Sequence, residues 1–393
     1  MKFVESKDLK PGMRLAKPVY NKMGVLLYDR NSFLTMSGIK SIENFGLIGL
    51  FILEPAEPLP PITEEEIQFE QFQTIYMFRV KEIMTRLQTG ENPENLRDLV
   101  SNIINRYGSL DHKLSFTQNL RSSADFVYKH AISTAILCAM MGHALGYSQL
   151  DKVRLVTAAL LYDLGYLYVP RTILDKKDPY TDDDRAVISE CRKKGYQLLY
   201  PEINKYLLDT EVLNILQQTI THLSTADAAS LQEKAFSQSA LALVVADRFD
   251  QLTAMNLNHS PISEISAIRL LKKDSARYDR KCVSALARCI KILPCGCSVD
   301  LSNGDKGIVL IENQNNYITP VVLNIRDNQI YDLSDPAVAK NMQIADIMKT
   351  MDNRILIDQN TLKLFSSDDN LKLTLNRYRQ KKMSMAKRLL HRS

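Results

Sequence analysis

Hydrophobic and polar positions keep one rhythm for a stretch and then change it, and each change marks a part of the chain. Residues 1 to 55 carry short apolar runs separated by turn residues: Gly12 to Val19, Val25 to Tyr28 after Asn21-Lys22-Met23-Gly24, a helical piece from Thr35 to Phe45, and Leu47 to Leu53. Runs this short, alternating and rich in β-branched and aromatic residues predict a small α+β module. Residues 56–62 hold Pro58, Pro60 and Pro61, which can continue neither a helix nor a central strand, so they read as a stiff linker. From residue 63 the spacing becomes helical and stays so to residue 292. Thr63 followed by Glu64, Glu65 and Glu66 is a helix start, and Gly90 and Pro93 are stops. Residues 293–336 return to short β-like runs with Asn303-Gly304 as a hairpin turn, and residues 337–393 follow no regular pattern. The fold class expected is mainly α.

Two of the helical stretches are apolar around most of their circumference. Ser123 to Leu145 and Ser239 to Thr253 therefore predict helices buried on several sides. A third, Val156 to Leu161, ends in Tyr162-Asp163-Leu164-Gly165 and breaks at Pro170. Polar residues inside such runs need partners. His130 lies in the first of them, Asp247 follows six apolar residues in the second, Asp163 closes the third, and His222 ends a helix expected over Thr210 to His222. Asp163 either reaches a backbone N–H or a solvated loop, or it serves as a carboxylate ligand. Asp250 stands three residues after Asp247 and shares its side of the helix.

Composition sets limits on this picture. The 393 residues are 45% hydrophobic and 24% charged, ordinary for a globular chain of two or three domains. No uninterrupted apolar stretch is long enough to span a membrane and the N-terminus lacks a signal-peptide core, so a cytoplasmic protein is expected. The net charge of +5 is a property of the tail, because residues 376–393 hold seven Lys or Arg and no acid, which leaves the rest of the chain at −2. That basic tail is expected either to fray in solvent or to touch an anionic surface. Six cysteines without a secretory signal argue for reduced thiols. Cys282, Cys289, Cys295 and Cys297 lie close in sequence but lack the paired spacing of strong zinc modules.

Imidazole and carboxylate on separate helices suit iron, manganese or zinc. In order and spacing, His130, Asp163, His222 and Asp247 resemble the ligands of the HD superfamily of metal-dependent phosphohydrolases, and specifically its HD-GYP branch, whose members hydrolyse cyclic di-GMP. The resemblance covers roughly residues 120 to 335. It rests on LLYDLGYLYVPRTILDKKDPYT, CRKKGYQLL, VVADRFDQLTA and LPCGCSVDLSNGDKGIVL, and KPGMRLAKPVY with GVLLYDRN resembles the module that often precedes HD-GYP. It implies an HD-type helical bundle with a small N-terminal α+β module and a small C-terminal β appendage.

The same comparison exposes departures. Tyr162 stands at the signature His, Tyr166 at the following Lys, Cys191 at the His of the next helix, and Leu223 and Ser224 at the second His and the Glu of the HHE segment. Thr225 to Ala229 replaces the Gly-Tyr-Pro loop, and Met255 to Asn258 replaces the phosphate-clamping residues after Asp250. Four ligands do not hold two cations, and a phenol stays protonated near pKa ~10. The expectation is thus a signalling protein related to cyclic di-GMP phosphodiesterases, catalytically inactive, without a metal, and acting as a regulatory or interaction module. One alternative is an active phosphodiesterase holding a single Fe, Mn or Zn ion on His130, Asp163, His222 and Asp247. Another is a receptor that binds a cyclic dinucleotide without cleaving it. A signalling-protein partner and a homodimer are both compatible with this reading.

Overall fold

The computed structural model describes residues 1–45, 47, 49–54, 59–118, 121–122, 124–176, 178, 180–202, 209–227, 229–254, 261–348 and 353–355. The chain divides into two compact units, residues 1–57 with 62–291, and residues 58–61 with 292–393. The basic tail at 376–393 and the Met255 to Asn258 stretch lie outside the described residues.

The first unit opens with β1 (Lys2–Glu5), β2 (Arg14–Leu15), β3 (Val19–Tyr20), β4 (Leu26–Tyr28), α1 (Met36–Asn44) and β5 (Gly49–Leu53). An antiparallel sheet in the order β1-β5-β2 and a separate β3-β4 hairpin enclose Leu15, Ile42, Ile52, Leu34 and Ile39. The turn expected at Asn21 to Gly24 forms because the Asn21 side chain accepts hydrogen bonds from the Met23 and Val25 amides at 2.8 and 3.0 Å. This module was expected as a body apart from residues 63–292. It shares a unit with the helices instead, and Lys17 Nζ meets the buried Glu70 Oε1 at 2.9 Å. Prolines end a helix or strand; they do not prevent the flanking elements from packing.

The helices are α2 (Glu64–Gln88), α3 (Leu96–Tyr107), α4 (Phe126–Ala144), α5 (Gln149–Leu161), α6 (Arg171–Leu174), α7 (Asp182–Glu202), α8 (Thr210–Ser224), α9 (Ala229–Gln232), α10 (Gln238–Thr253), α11 (Glu264–Lys273) and α12 (Arg280–Cys289). Thr63 caps α2 in the expected box with Glu66. Ser148, Asp209, Ser237 and Asp279 cap α5, α8, α10 and α12 by accepting from first-turn amides, which fixes where each begins. α4 is the axis of the bundle, packed by α2, α3, α5, α10 and α12. It has no solvent face for most of its length, as its composition implied. Burial of Ile132, Ile136 and Leu137 there stabilises the bundle by about 1.5–3 kcal/mol per side chain.

Beyond α5 a 3₁₀ turn spans Leu164–Tyr168. Gly165 in this turn and Gly195 in α7 face each other so closely that a Cβ on Gly195 would strike the Gly165 backbone, and one on Gly165 would strike the Cys191 carbonyl. The absence of side chains at these two positions lets α7 lie directly against the turn.

The second unit contains β6 (Ser298–Leu301), β7 (Lys306–Ile311), β8 (Val321–Asn324), β9 (Ile330–Asp332), α13 (Pro336–Ala339) and β10 (Ile344–Ile347). Its five strands form one antiparallel sheet in the order β10-β6-β7-β8-β9. The β region therefore extends past the expected end at residue 336. A four-residue strand among polar neighbours gives no periodic signal, and β10 is recognisable only through its pairing with β6. The four clustered cysteines are free thiols, and each sulfur contacts a backbone carbonyl of its own surroundings: Gln238, Ala285, Leu310 and Ser298 respectively.

Candidate functional site

Four helices of the first unit deliver ionisable side chains to one buried place. α4 contributes His130 from its second turn, the C-terminal end of α5 contributes Tyr162 and Asp163, α7 contributes Arg192, and α10 contributes Asp247 and Asp250 one turn apart. Arg121, in the segment before α4, completes the set and is fully buried.

His130 is the hub. Its Nδ1 lies 2.5 Å from Asp250 Oδ2, and its Nε2 lies 2.6 Å from the Tyr162 hydroxyl and 3.1 Å from Asp247 Oδ1. The Tyr162 hydroxyl donates to Asp247 Oδ1 at 2.8 Å, and the Gln251 amide donates to the same oxygen at 2.9 Å. A single proton arrangement satisfies all of this: Nδ1–H donates to Asp250, Nε2–H donates to the Tyr162 oxygen, and Tyr162 passes its own proton toward Asp247. Phe126 stacks on the imidazole at 5.2 Å.

Asp250 is locked from its other side. The Arg121 guanidinium makes a two-pronged contact with its carboxylate, at 2.5 and 2.7 Å, and Gln118 donates to Oδ1 at 3.1 Å. Asp163 receives Arg192 Nε on Oδ1 at 3.2 Å. Its Oδ2 is buried, makes no hydrogen bond among the described residues, and lies within ion-pair distance of His130 Nε2 at 3.4 Å. The solvated or backbone-capping reading of Asp163 is thereby overturned, since it is only 1% exposed and its side chain makes no cap.

Charge follows from this geometry. Burial disfavours the imidazolium of His130, but hydrogen bonds and charge from Asp247 and Asp250 outweigh it and raise its pKa to about 9. Burial also opposes ionisation of Asp250, and Arg121 and His130 reverse the effect, holding it far below the usual carboxylate range. Asp163 is pushed up by burial, with Arg192 and His130 opposing. Burial drives the Tyr162 phenol well up, so it is a neutral hydroxyl. Three carboxylates thus face two guanidiniums and an imidazolium, a set that neutralises itself.

The remaining sequence candidates lie elsewhere. His222 is buried on α8, donates Nε2–H to the Arg277 carbonyl at 3.0 Å, and packs its ring edgewise on Phe236; its Nδ1 has no hydrogen-bond partner among the described residues. Burial lowers its pKa, so it is neutral. Cys191 turns into an apolar cluster with Val169, Ile173 and Ile188. Leu223 is half-buried and Ser224 is exposed at the end of α8. Tyr166 lies beneath Arg192, whose guanidinium carbon is 5.0 Å from the ring centre. Position 166 carries no cation of its own, and the guanidinium above its ring is committed to Asp163.

Arg121 and Arg192 were not singled out from sequence, and Asp250 was noted only as the helical neighbour of Asp247. Arg192 adjoins Cys191 and Asp250 shares a helix side with Asp247, so periodicity offered a weak signal for both. Nothing local marks Arg121, since an arginine in a mixed polar segment reads as surface.

His130, Asp163 and Asp247 each offer one donor atom within 4.8 Å of the others, the one such group among the described residues. Donors around a single tetrahedral ion stand about 3.3 Å apart when metal–ligand bonds are about 2.0 Å. The 3.1 and 3.4 Å separations from His130 Nε2, and an Asp163 Oδ2 that accepts no hydrogen bond among the described residues, fit one such ion. A second ion finds no donor set among the described residues.

An HD-domain family model matches residues 115–282. Curated relatives include the cyclic di-GMP phosphodiesterase PdeB of Borreliella burgdorferi, 23% identical over 232 residues that cover 56% of this chain and 58% of that protein. The cyclic di-GMP phosphodiesterase PA4108 of Pseudomonas aeruginosa is 23% identical over 68% of this chain and 66% of its own length. The response regulator RpfG of Xanthomonas campestris, also a cyclic di-GMP phosphodiesterase, is 27% identical over 39% of this chain and 40% of its own. The chain thus spans less than two thirds of the length of each of these relatives. Among solved structures, Bd1817, a HDG"Y"P protein from Bdellovibrio bacteriovorus, aligns with a TM-score of 0.44 at 15% identity, covering 72% of this chain and 97% of that one. Residues 115–282 thus match the HD domain, and the chain is similar to cyclic di-GMP phosphodiesterases of three bacteria.

Proposed function

We propose that this chain is a non-hydrolysing HD-GYP protein that serves cyclic-dinucleotide signalling as a regulatory or interaction module. The observation that carries this reading is the donor set. Three ligand atoms converge where a two-ion hydrolase needs two cations shared across several ligands, and His222, the fourth expected ligand, has its Nε2 committed to the Arg277 carbonyl. The carboxylates are meanwhile held by arginine, tyrosine and glutamine side chains of the chain itself.

A second reading is favoured by Asp163 Oδ2, which accepts no hydrogen bond among the described residues: a one-ion phosphohydrolase in which His130, Asp163 and Asp247 hold the metal. Such an ion would polarise a phosphoryl oxygen and acidify a water. Arg192 would orient Asp163, and Arg121 with Asp250 would fix the His130 ring.

Incubating the purified protein with cyclic di-GMP and added Mn²⁺ or Fe²⁺, and resolving the products by chromatography, decides between them. No linear product above buffer is expected. Turnover that disappears in Asp163→Ala would overturn the proposal.

A further inference from the structure

The position of one hydroxyl bears on whether even the single-ion site is open. The Tyr162 oxygen is 2.6 Å from His130 Nε2 and 2.8 Å from Asp247 Oδ1, two of the three donor atoms an ion would use. Both are hydrogen-bond separations, shorter than the about 3.3 Å between neighbours in a tetrahedral coordination shell, so the hydroxyl ties these two atoms together through its own bonds. The ring is 1% exposed, held between α4 and α10, and cannot swing out without opening the core. Gln251 on Asp247 Oδ1 and Arg192 on Asp163 Oδ1 hold the flanking carboxylates toward the protein as well.

We propose that Tyr162 is a built-in plug of the His130–Asp163–Asp247 site: its hydroxyl occupies the coordination edge between Nε2 and Oδ1 and keeps divalent cations out of a donor set that is otherwise complete for one. The inference rests on reading the site as a non-hydrolysing HD-GYP centre and adds to it the residue that closes the centre. Two features set Tyr162 apart from an ordinary buried tyrosine. It engages two potential ligands at once, and removing only its oxygen takes away both of those hydrogen bonds while keeping the ring in the core.

The test is metal binding to the full-length protein, read without any enzyme assay. Wild type, Tyr162→Phe and Tyr162→His are stripped with chelator and titrated with Co²⁺, following the visible absorption of the bound ion, and with Zn²⁺ by calorimetry. Both variants are expected to bind one equivalent at least tenfold more tightly than wild type, and Tyr162→His with the more intense four-coordinate spectrum. Circular dichroism of the metal-free variants establishes that they are folded, and either folded variant suffices. Wild-type binding as tight as that of the variants overturns the plug. So does a tyrosinate-to-iron absorption band in wild type loaded with Fe³⁺ that Tyr162→Phe lacks, since Tyr162 would then be a ligand. Wild type that binds an ion as tightly as the variants yet leaves cyclic di-GMP intact overturns this inference while leaving the proposed function standing.

Discussion

Arg121 shows how a residue without any sequence signal can decide a site. It is fully buried, with the carboxylate of Asp250 against its guanidinium and Ser133 Oγ 3.4 Å from its NH2. Its removal strands Asp250 in the core, and the loss of one partner of a buried pair is worth about 3–5 kcal/mol. Arg121→Ala is accordingly expected to lower the urea midpoint strongly, whereas Gln118→Ala, which removes one peripheral donor, shifts it by about 1 kcal/mol. Similar losses for the two variants would mean that the guanidinium is not what holds Asp250. At this scale the sequence revealed the residues whose type is unusual for their setting: His130, Asp163 and Asp247 stood out as polar groups in apolar runs, and the three meet. It did not reveal Arg121 or Arg192, because arginines among lysines and polar residues look like surface. It placed His222 with the ligands because spacing along the chain carries no information on where a ring nitrogen points.

At the scale of elements, α7 depends on two kinds of contact. Gly195 against Gly165 brings the helix onto the turn after α5, and this approach puts Arg192 beside Asp163. Gly195→Ala is expected to push α7 away, at about 1–3 kcal/mol for the overpacking, and to break the Arg192–Asp163 contact. A crystal structure of the variant with that contact intact would refute the argument. The start of α7 is held by Asp184, which takes Lys176 at 2.5 Å and the Thr181 amide at 2.9 Å. Lys176 and the Thr181 backbone lower the Asp184 pKa to about 2. A depressed carboxylate stabilises the fold above its unfolded pKa, near 4, and the contribution is lost as pH falls through the folded value. Amide exchange in the first turn of α7 should rise between pH 4 and 2 in wild type and be insensitive to that window in Asp184→Asn. Helix limits were readable to within a turn because caps such as Thr63 and Ser237 are local chemistry. The close approach of α7 to the turn is tertiary, so the sequence offered only two glycines without saying that they touch.

For the whole molecule, each unit carries its own core. Leu323 in β8 is 1% exposed inside the second unit, so Leu323→Ala should cost about 2–5 kcal/mol there and leave the transition of the first unit in place. Calorimetry that shows both transitions moving together would indicate one cooperative body. The order of mainly helical and β regions was legible from periodicity, because a run apolar on every side and an alternating run bury surface in different ways. The packing of the N-terminal module against α2 was not, because a proline-rich stretch looks the same whether or not its flanks meet.

Tyr162 has one more consequence, and it concerns heredity. Tyrosine and histidine codons differ at a single base, so the imidazole that the HD pattern places at this position is one point mutation away. That change would add one imidazole to the cluster, with Arg192 still on Asp163, Arg121 still on Asp250 and His222 still bonded to Arg277. A single base change can thus alter the hydroxyl at this position, while the arginine contacts that hold Asp163 and Asp250 are untouched by it.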